Sequence, residues 1–124
     1  MLGYQVCIDL FDCDPSALDA PAEIESAVRA LAAGIGATVV EVSTHRFAPQ
    51  GLSCIAQISA SHIAIHTWPE NRFAAVDVFS CTRRVDPEGL TGLLRAALGA
   101  GEVACTEVPR GAGLRSPFFR EAEG

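Results

Sequence analysis

Three short apolar runs crowd the middle of the chain, at 54–58, 63–67 and 75–79, joined by links of hairpin length that carry turn residues. Each run has the length of a strand, and such links are too short for the crossover that parallel strands require. The middle of the fold is therefore expected to be antiparallel sheet. Loose alternation at 4–10, a β-branched segment at 37–42 and a last run at 102–108 add three further strands. Two helices frame this series. Ile24, Ala27, Val28, Leu31 and Ala32 recur at helical spacing, with Gly34 near the end of the stripe. Either Asp14-Pro15 or Asp19 with Pro21 can start that helix. Asp86-Pro87-Glu88 opens the second with a capping side chain, a proline at the first helical position and an acid in the first turn. Leu90, Leu93, Leu94, Ala97 and Leu98 follow, and Gly99 can end it.

The order strand, helix, several strands, helix, strand predicts an α+β fold: a two-layer α/β sandwich, mostly antiparallel sheet covered on one face by two helices. A length of 124 residues suits one domain, 1–124. Helices on one face leave the other face of the sheet to be buried elsewhere, and a homodimer is expected to do so. The tail after Pro109 is expected to be loose.

Nearly half of the residues are hydrophobic and 19% are charged, which favours a packed globule over a disordered segment. A formal charge of −6 without any Lys/Arg run argues against nucleic acid or an anionic membrane surface as partner, and leaves room for a cationic small molecule. The first residues have neither the basic start nor the apolar core of a signal peptide. The longest apolar stretch, ALAAGIGATVV, is short and broken by glycine, so a cytoplasmic protein is expected. Five cysteines, with no CxxC pair, support neither a disulfide framework nor a zinc knuckle; each is expected to be reduced and buried.

The stretch SASHIAIHTWPE (59–70) holds two of the three histidines. His62 and His66 are four apart, but in a strand that spacing separates the rings by roughly 13 Å, too far for one metal ion. A nucleophile with a base is the other chemistry to weigh. Ser61, His66 and Cys81 would converge if the strand holding the histidines paired with the strand ending at Cys81. The alternative is that Ser59 and Ser61 are turn residues, His66 a hydrogen-bonded strand histidine and Cys81 part of the core.

SHIAIHTWPE followed by AAVDVFSC closely resembles the signature of the prokaryotic S-adenosylmethionine decarboxylase proenzymes, which carry a pyruvoyl group made from an internal serine. HRFAPQGLS (45–53), the early FDCD, GATVVEVSTHRF and VDPEGL resemble the family in the same order. The likeness runs from about Gly3 to Arg110. It implies that Ser61 attacks the carbonyl of Ala60 in an N-to-O acyl shift, and that elimination and hydrolysis leave a pyruvoyl cap and ammonia. The products would be a β chain, 1–60, and an α chain, 61–124. The resemblance further implies that Ser53 and His66 assist processing and that Cys81 returns a proton to the substrate carbon. Phe47 would stack on adenine with the His66 ring opposite, and Glu70 would bind the ribose hydroxyls. A pyruvoyl group condenses with the substrate amine as a Schiff base and acts as electron sink. The implied reaction is conversion of S-adenosylmethionine to its decarboxylated form for spermidine synthesis. Trp68 is expected to be packing, and His45 and His62 structural.

Four positions depart from the family's usual residues: Ala60 for glutamate, Cys54 for glycine, and Ala48 with Gln50 for a bulkier apolar residue and an aromatic. The rival readings are a relative that decarboxylates a basic amino acid such as ornithine or arginine, and an unprocessed homologue without activity.

Overall fold

The computed structural model describes residues 3–59, 61–81 and 85–113. Six strands, β1 (Gly3–Phe11), β2 (Val39–Arg46), β3 (Leu52–Ile58), β4 (Ser61–Trp68), β5 (Phe73–Ser80) and β6 (Glu102–Arg110), form one sheet in the order β2-β3-β4-β5-β1-β6. Every neighbouring pair is antiparallel. Helices α1 (Pro15–Leu18), α2 (Pro21–Gly34) and α3 (Pro87–Leu98) accompany it, and a 3-10 turn, Pro69–Asn71, links β4 to β5. The expected α+β sandwich is therefore the observed one, with five strands a few residues longer than the segments that marked them, β2 shifted from 37–42 to Val39–Arg46, and the short α1 added to the two expected helices.

Strand alternation builds the core. Val6, Ile8 and Leu10 of β1, Leu52, Cys54, Ala56 and Ile58 of β3, Ile63 and Ile65 of β4, and Ala74, Val76 and Val78 of β5 are buried in one cluster. Ile24, Ala27, Val28, Leu31 and Ala32 of α2 and Leu90, Leu94 and Leu98 of α3 close that cluster from the helical side. Residues of the opposite parity form the second face, where Phe11, Ile55, Trp68 and Val108 remain exposed.

Both candidate helix starts are used, for different purposes. Asp14 caps the single turn α1, its carboxylate accepting from the Ser16 amide at 3.0 Å. Helix α2 begins at Pro21 with Ala20 at the cap position and no side-chain capping bond. Asp86 caps α3 through the Glu88 amide at 3.2 Å, and Gly99, at φ +66°, ends it in the left-handed conformation that glycine adopts without strain. The strand β6 carries order through Arg110; the rest of the loose-tail expectation falls on 114–124, outside the described residues. Among the described residues no helix is long and apolar enough to cross a membrane.

Candidate functional site

The β3–β4 pairing sets Ser53 directly opposite His66, and the Ser53 Oγ lies 2.7 Å from His66 Nδ1. Which of the two donates depends on the imidazole tautomer. The pair sits on the face of the sheet that the helices leave open. A cavity of about 410 Å3 opens beside it, lined by Phe47, Gln50, Gly51, Ser53, His66, Trp68 and Glu70 among others. Phe47 stands on the link between β2 and β3 and is 48% exposed, and the His45 ring meets its ring edge-on at 4.5 Å. Glu70 comes from the 3-10 turn just past β4 and is exposed.

Local sequence explains why these side chains meet. His66 and Trp68 are two apart on β4, so both point to the open face. The Trp68 ring contacts Phe73 at 5.6 Å, and Phe73 contacts Phe11 at 5.3 Å, so the cavity wall is the end of an aromatic row. Trp68 packs on Phe73, as expected, and also lines the cavity; alternation from His66 was the available signal for the second. Gly51 has φ +102°, and a Cβ there would meet the Thr67 carbonyl oxygen at 3.1 Å, so the turn into β3 requires glycine. The Phe47 amide donates to the Gly51 carbonyl at 2.9 Å and closes the link. Beneath it, the buried Thr67 hydroxyl accepts from the Leu52 amide at 2.9 Å and donates to the Leu18 carbonyl at 2.8 Å.

Ser61 lies elsewhere. It opens β4, five residues before His66, which is roughly 16 Å along an extended strand, and alternation turns the two side chains to opposite faces. Cys81 follows Ser80 at the end of β5, and because His62 faces Phe79, that end adjoins Ser61. The expected convergence of Ser61, His66 and Cys81 is therefore corrected. The strands do pair, but antiparallel register brings Cys81 to the Ser61 end and sets Ala75 opposite His66. One chain holds two separate groups: Ser61 with Cys81 at one end of the sheet, and Phe47, Ser53, His66 and Glu70 at the other. Ala60 lies outside the described residues. Its neighbour Ser59 is pinned, its amide donating to the Thr38 carbonyl at 2.9 Å and its hydroxyl accepting from the Thr38 amide at 3.2 Å.

All five cysteines are free. Burial pushes the Cys13 thiol up to about 11 and raises that of Cys54, so both are held as inert thiols at neutral pH. Cys81 and Cys105 are exposed, contrary to the expectation that every cysteine is buried: one lies past the end of its strand, the other on an edge strand. The His62 ring stacks on Phe79 at 6.0 Å, away from the cavity.

The profile of the S-adenosylmethionine decarboxylase family matches residues 4–111. The S-adenosylmethionine decarboxylase proenzyme of Prochlorococcus marinus is 44% identical over 100 residues, covering 81% of this chain and 80% of that protein. The proenzyme of the same name from Methanococcus aeolicus is 38% identical over 110 residues, covering 89% and 94%. That of Caldicellulosiruptor saccharolyticus is 44% identical over 110 residues, covering 89% of each. Among solved structures, the adenosylmethionine decarboxylase from Aquifex aeolicus superposes with a TM-score of 0.81 over 97% of this chain and 98% of that one. Its sequence identity of 23% makes this a likeness of fold.

Proposed function

We propose that this chain, which belongs to the S-adenosylmethionine decarboxylase family, is a self-processing decarboxylase that converts S-adenosylmethionine to its decarboxylated form and carbon dioxide. The observation that carries the reading is the gathering of Phe47, Ser53, His66 and Glu70 around one cavity of nucleoside size. Aromatic faces from Phe47, His66 and Trp68 suit both an adenine ring and a sulfonium cation. The Glu70 carboxylate is an acceptor pair for two ribose hydroxyls.

The pyruvoyl group that the family implies would be made from Ser61, leaving a β chain, 1–60, and an α chain, 61–124. The residues present fit that origin. An acyl shift needs a β-hydroxyl next to a held amide, and Ser61 begins a strand two residues after the pinned Ser59. When present, the group supplies an electron sink for the carbanion left by carbon dioxide. Cys81 would hold the proton returned to that carbon, and the Ser53–His66 pair would polarise the attacked carbonyl and take the proton from the Ser61 α-carbon as the ester leaves the β-carbon.

These roles place Ser61 and His66 in one site, and a single chain keeps them roughly 16 Å apart. The proposed site is therefore built from two copies, Ser61 and Cys81 from one meeting Phe47, Ser53, His66 and Glu70 from the other. The open face of the sheet, with Phe11, Ile55, Trp68 and Val108 exposed, is the surface proposed to join them. A two-fold axis between the sheets and across the strands would lay the Ser61 end of one copy over the His66 end of the other. Once cut, Ser61 is a chain end released from the hairpin. The free cysteines suit a reducing, cytoplasmic setting.

Intact mass spectrometry tests processing: an α chain lighter by one ammonia than a serine-started peptide is expected. One uncleaved species near 13.0 kDa, persisting on incubation, would overturn the reading. Carbon dioxide release is expected from carboxyl-labelled S-adenosylmethionine; release from ornithine or arginine instead would overturn the substrate assignment.

A further inference from the structure

The link that carries Phe47 is held from outside the sheet. Residues 47–51 join β2 to β3, and the Asp19 carboxylate reaches them across the top of the core. Its Oδ1 accepts from the Gly51 amide at 3.0 Å. Its Oδ2 stands 3.6 Å from Arg46 Nη2, and the Asp19 carbonyl lies 3.5 Å from the same nitrogen. One residue thus ties the position just before Phe47 and the position that closes its turn. The adjoining Leu18 carbonyl holds β3 through Thr67, which accepts from the Leu52 amide. Two successive amides at the entry to β3, Gly51 and Leu52, are both anchored on residues 18–19, one directly and one through a buried hydroxyl.

Asp19 closes α1 through its backbone amide, and its side chain caps neither helix. It lies two residues before the proline that opens α2, beside a cap position filled by Ala20 with no side-chain capping bond. Alanine is a poor cap and aspartate a good one, typically by about 1 kcal/mol. The Asp19 carboxylate faces the Phe47 link instead. The ion pair with Arg46 contributes little, since Arg46 is 59% exposed and solvent screens it. The oxygen offered to the Gly51 amide is the stronger tie, and an amide oxygen at the same place can also make it.

We propose that Asp19 is a positioning residue: it presets the Phe47 ring over the cavity and so governs affinity for the nucleoside part of the substrate. The inference rests on the reading of Phe47 as the adenine-stacking residue. A preset ring lowers the ordering cost of binding and leaves the reacting end of the substrate untouched. Binding then weakens without Asp19 while turnover at saturation holds.

The test uses the full-length processed protein and three substitutions. Asp19→Ala removes the acceptor. Asp19→Asn keeps an oxygen for the Gly51 amide and loses the charge. Asp19→Glu keeps the charge and displaces the carboxylate by a methylene. Steady-state decarboxylation of S-adenosylmethionine gives KM and kcat, and quenching of Trp68, the one tryptophan, by 5′-methylthioadenosine gives a binding constant without turnover. Asp19→Ala is expected to raise KM and the probe's Kd about tenfold with kcat within about twofold. Asp19→Asn should stay within about twofold of the wild type and Asp19→Glu should lose at least about threefold. In a Phe47→Ala background, Asp19→Ala should add less than about twofold, because its effect runs through that ring. A KM unchanged in Asp19→Ala, a kcat that falls as far as kcat/KM, or Asp19→Asn no better than Asp19→Ala overturns the proposal. Should Asp19→Ala fail to fold, the contrast between Asp19→Glu and Asp19→Asn decides by the same criterion. A wild type that neither decarboxylates S-adenosylmethionine nor binds the probe overturns the reading of the site itself, before any variant is made.

Discussion

Thr67→Val removes one oxygen and almost no volume, and it tests how the cavity floor is held. Thr67 is 5% exposed, and Leu18 and Leu52 are fully buried. The hydroxyl serves two backbone groups, accepting from the Leu52 amide and donating to the Leu18 carbonyl. Valine keeps the β-branched shape that suits β4 and leaves both groups without that partner inside a dry core. Each stranded group costs about 1–3 kcal/mol, so the substitution should cost about 2–6 kcal/mol in all. For a chain of this size that is a fall in Tm of roughly 10–20 °C. The measurement is best made in a Ser61→Ala background, which keeps one uncut chain, at fixed protein concentration, by denaturant titration and thermal melting. Thr67→Ser is the control and should recover most of the loss, since it retains the oxygen. A Thr67→Val protein within about 0.5 kcal/mol of its parent would refute the argument, because it would mean that the two backbone groups find other partners at no cost.

Other consequences follow from the same geometry. Gly51→Ala forces a Cβ to 3.1 Å from a backbone oxygen at φ +102° and should cost about 1–3 kcal/mol, read as a lower Tm; an unchanged melting curve would contradict it. Native protein treated with iodoacetamide at neutral pH should be labelled at the exposed Cys81 and spare Cys13 and Cys54 until unfolded, as peptide mapping would reveal. The Asp14 carboxyl is held below its ordinary 3.8, chiefly by the Ser16 hydroxyl and then the Ser16 amide. A depressed carboxyl stabilises the fold above its unfolded-state value and loses that contribution as pH falls through the folded one. The stability gap between the wild type and Asp14→Asn should therefore be full at neutral pH and shrink below about pH 4; a gap that widens in acid would contradict the assignment.

The fold was readable because its signals are local. Apolar runs broken by turn residues marked the strands within a few residues, and Asp86-Pro87 marked the start of α3. What escaped was non-local. Asp14 and Asp19 looked equivalent as helix starts, and nothing nearby distinguishes a cap from a carboxylate engaged 32 residues away at Gly51. Thr67, on the core side of β4, gave no sign that its hydroxyl would anchor β3. The separation of Ser61 from His66 is a different kind of miss. The strand spacing that removed a metal from His62 and His66 applies equally to two residues five apart on the same strand. The resemblance to a family joined them in one site, and only the register showed that one chain holds them at opposite ends of the sheet.

That separation makes the shared site the central claim, and mixing two inactive variants tests it directly. Ser61→Ala lacks the serine proposed to be cut, and His66→Ala lacks the histidine proposed to attend it. Co-expressed, they should form mixed dimers in which the intact Ser61 of one chain meets the intact His66 of the other. Random pairing then restores about a quarter of the wild-type decarboxylation, together with cleavage in the His66→Ala chain. Activity no greater than the sum of the two variants alone, with no cleaved chain, would contradict a site built from two copies.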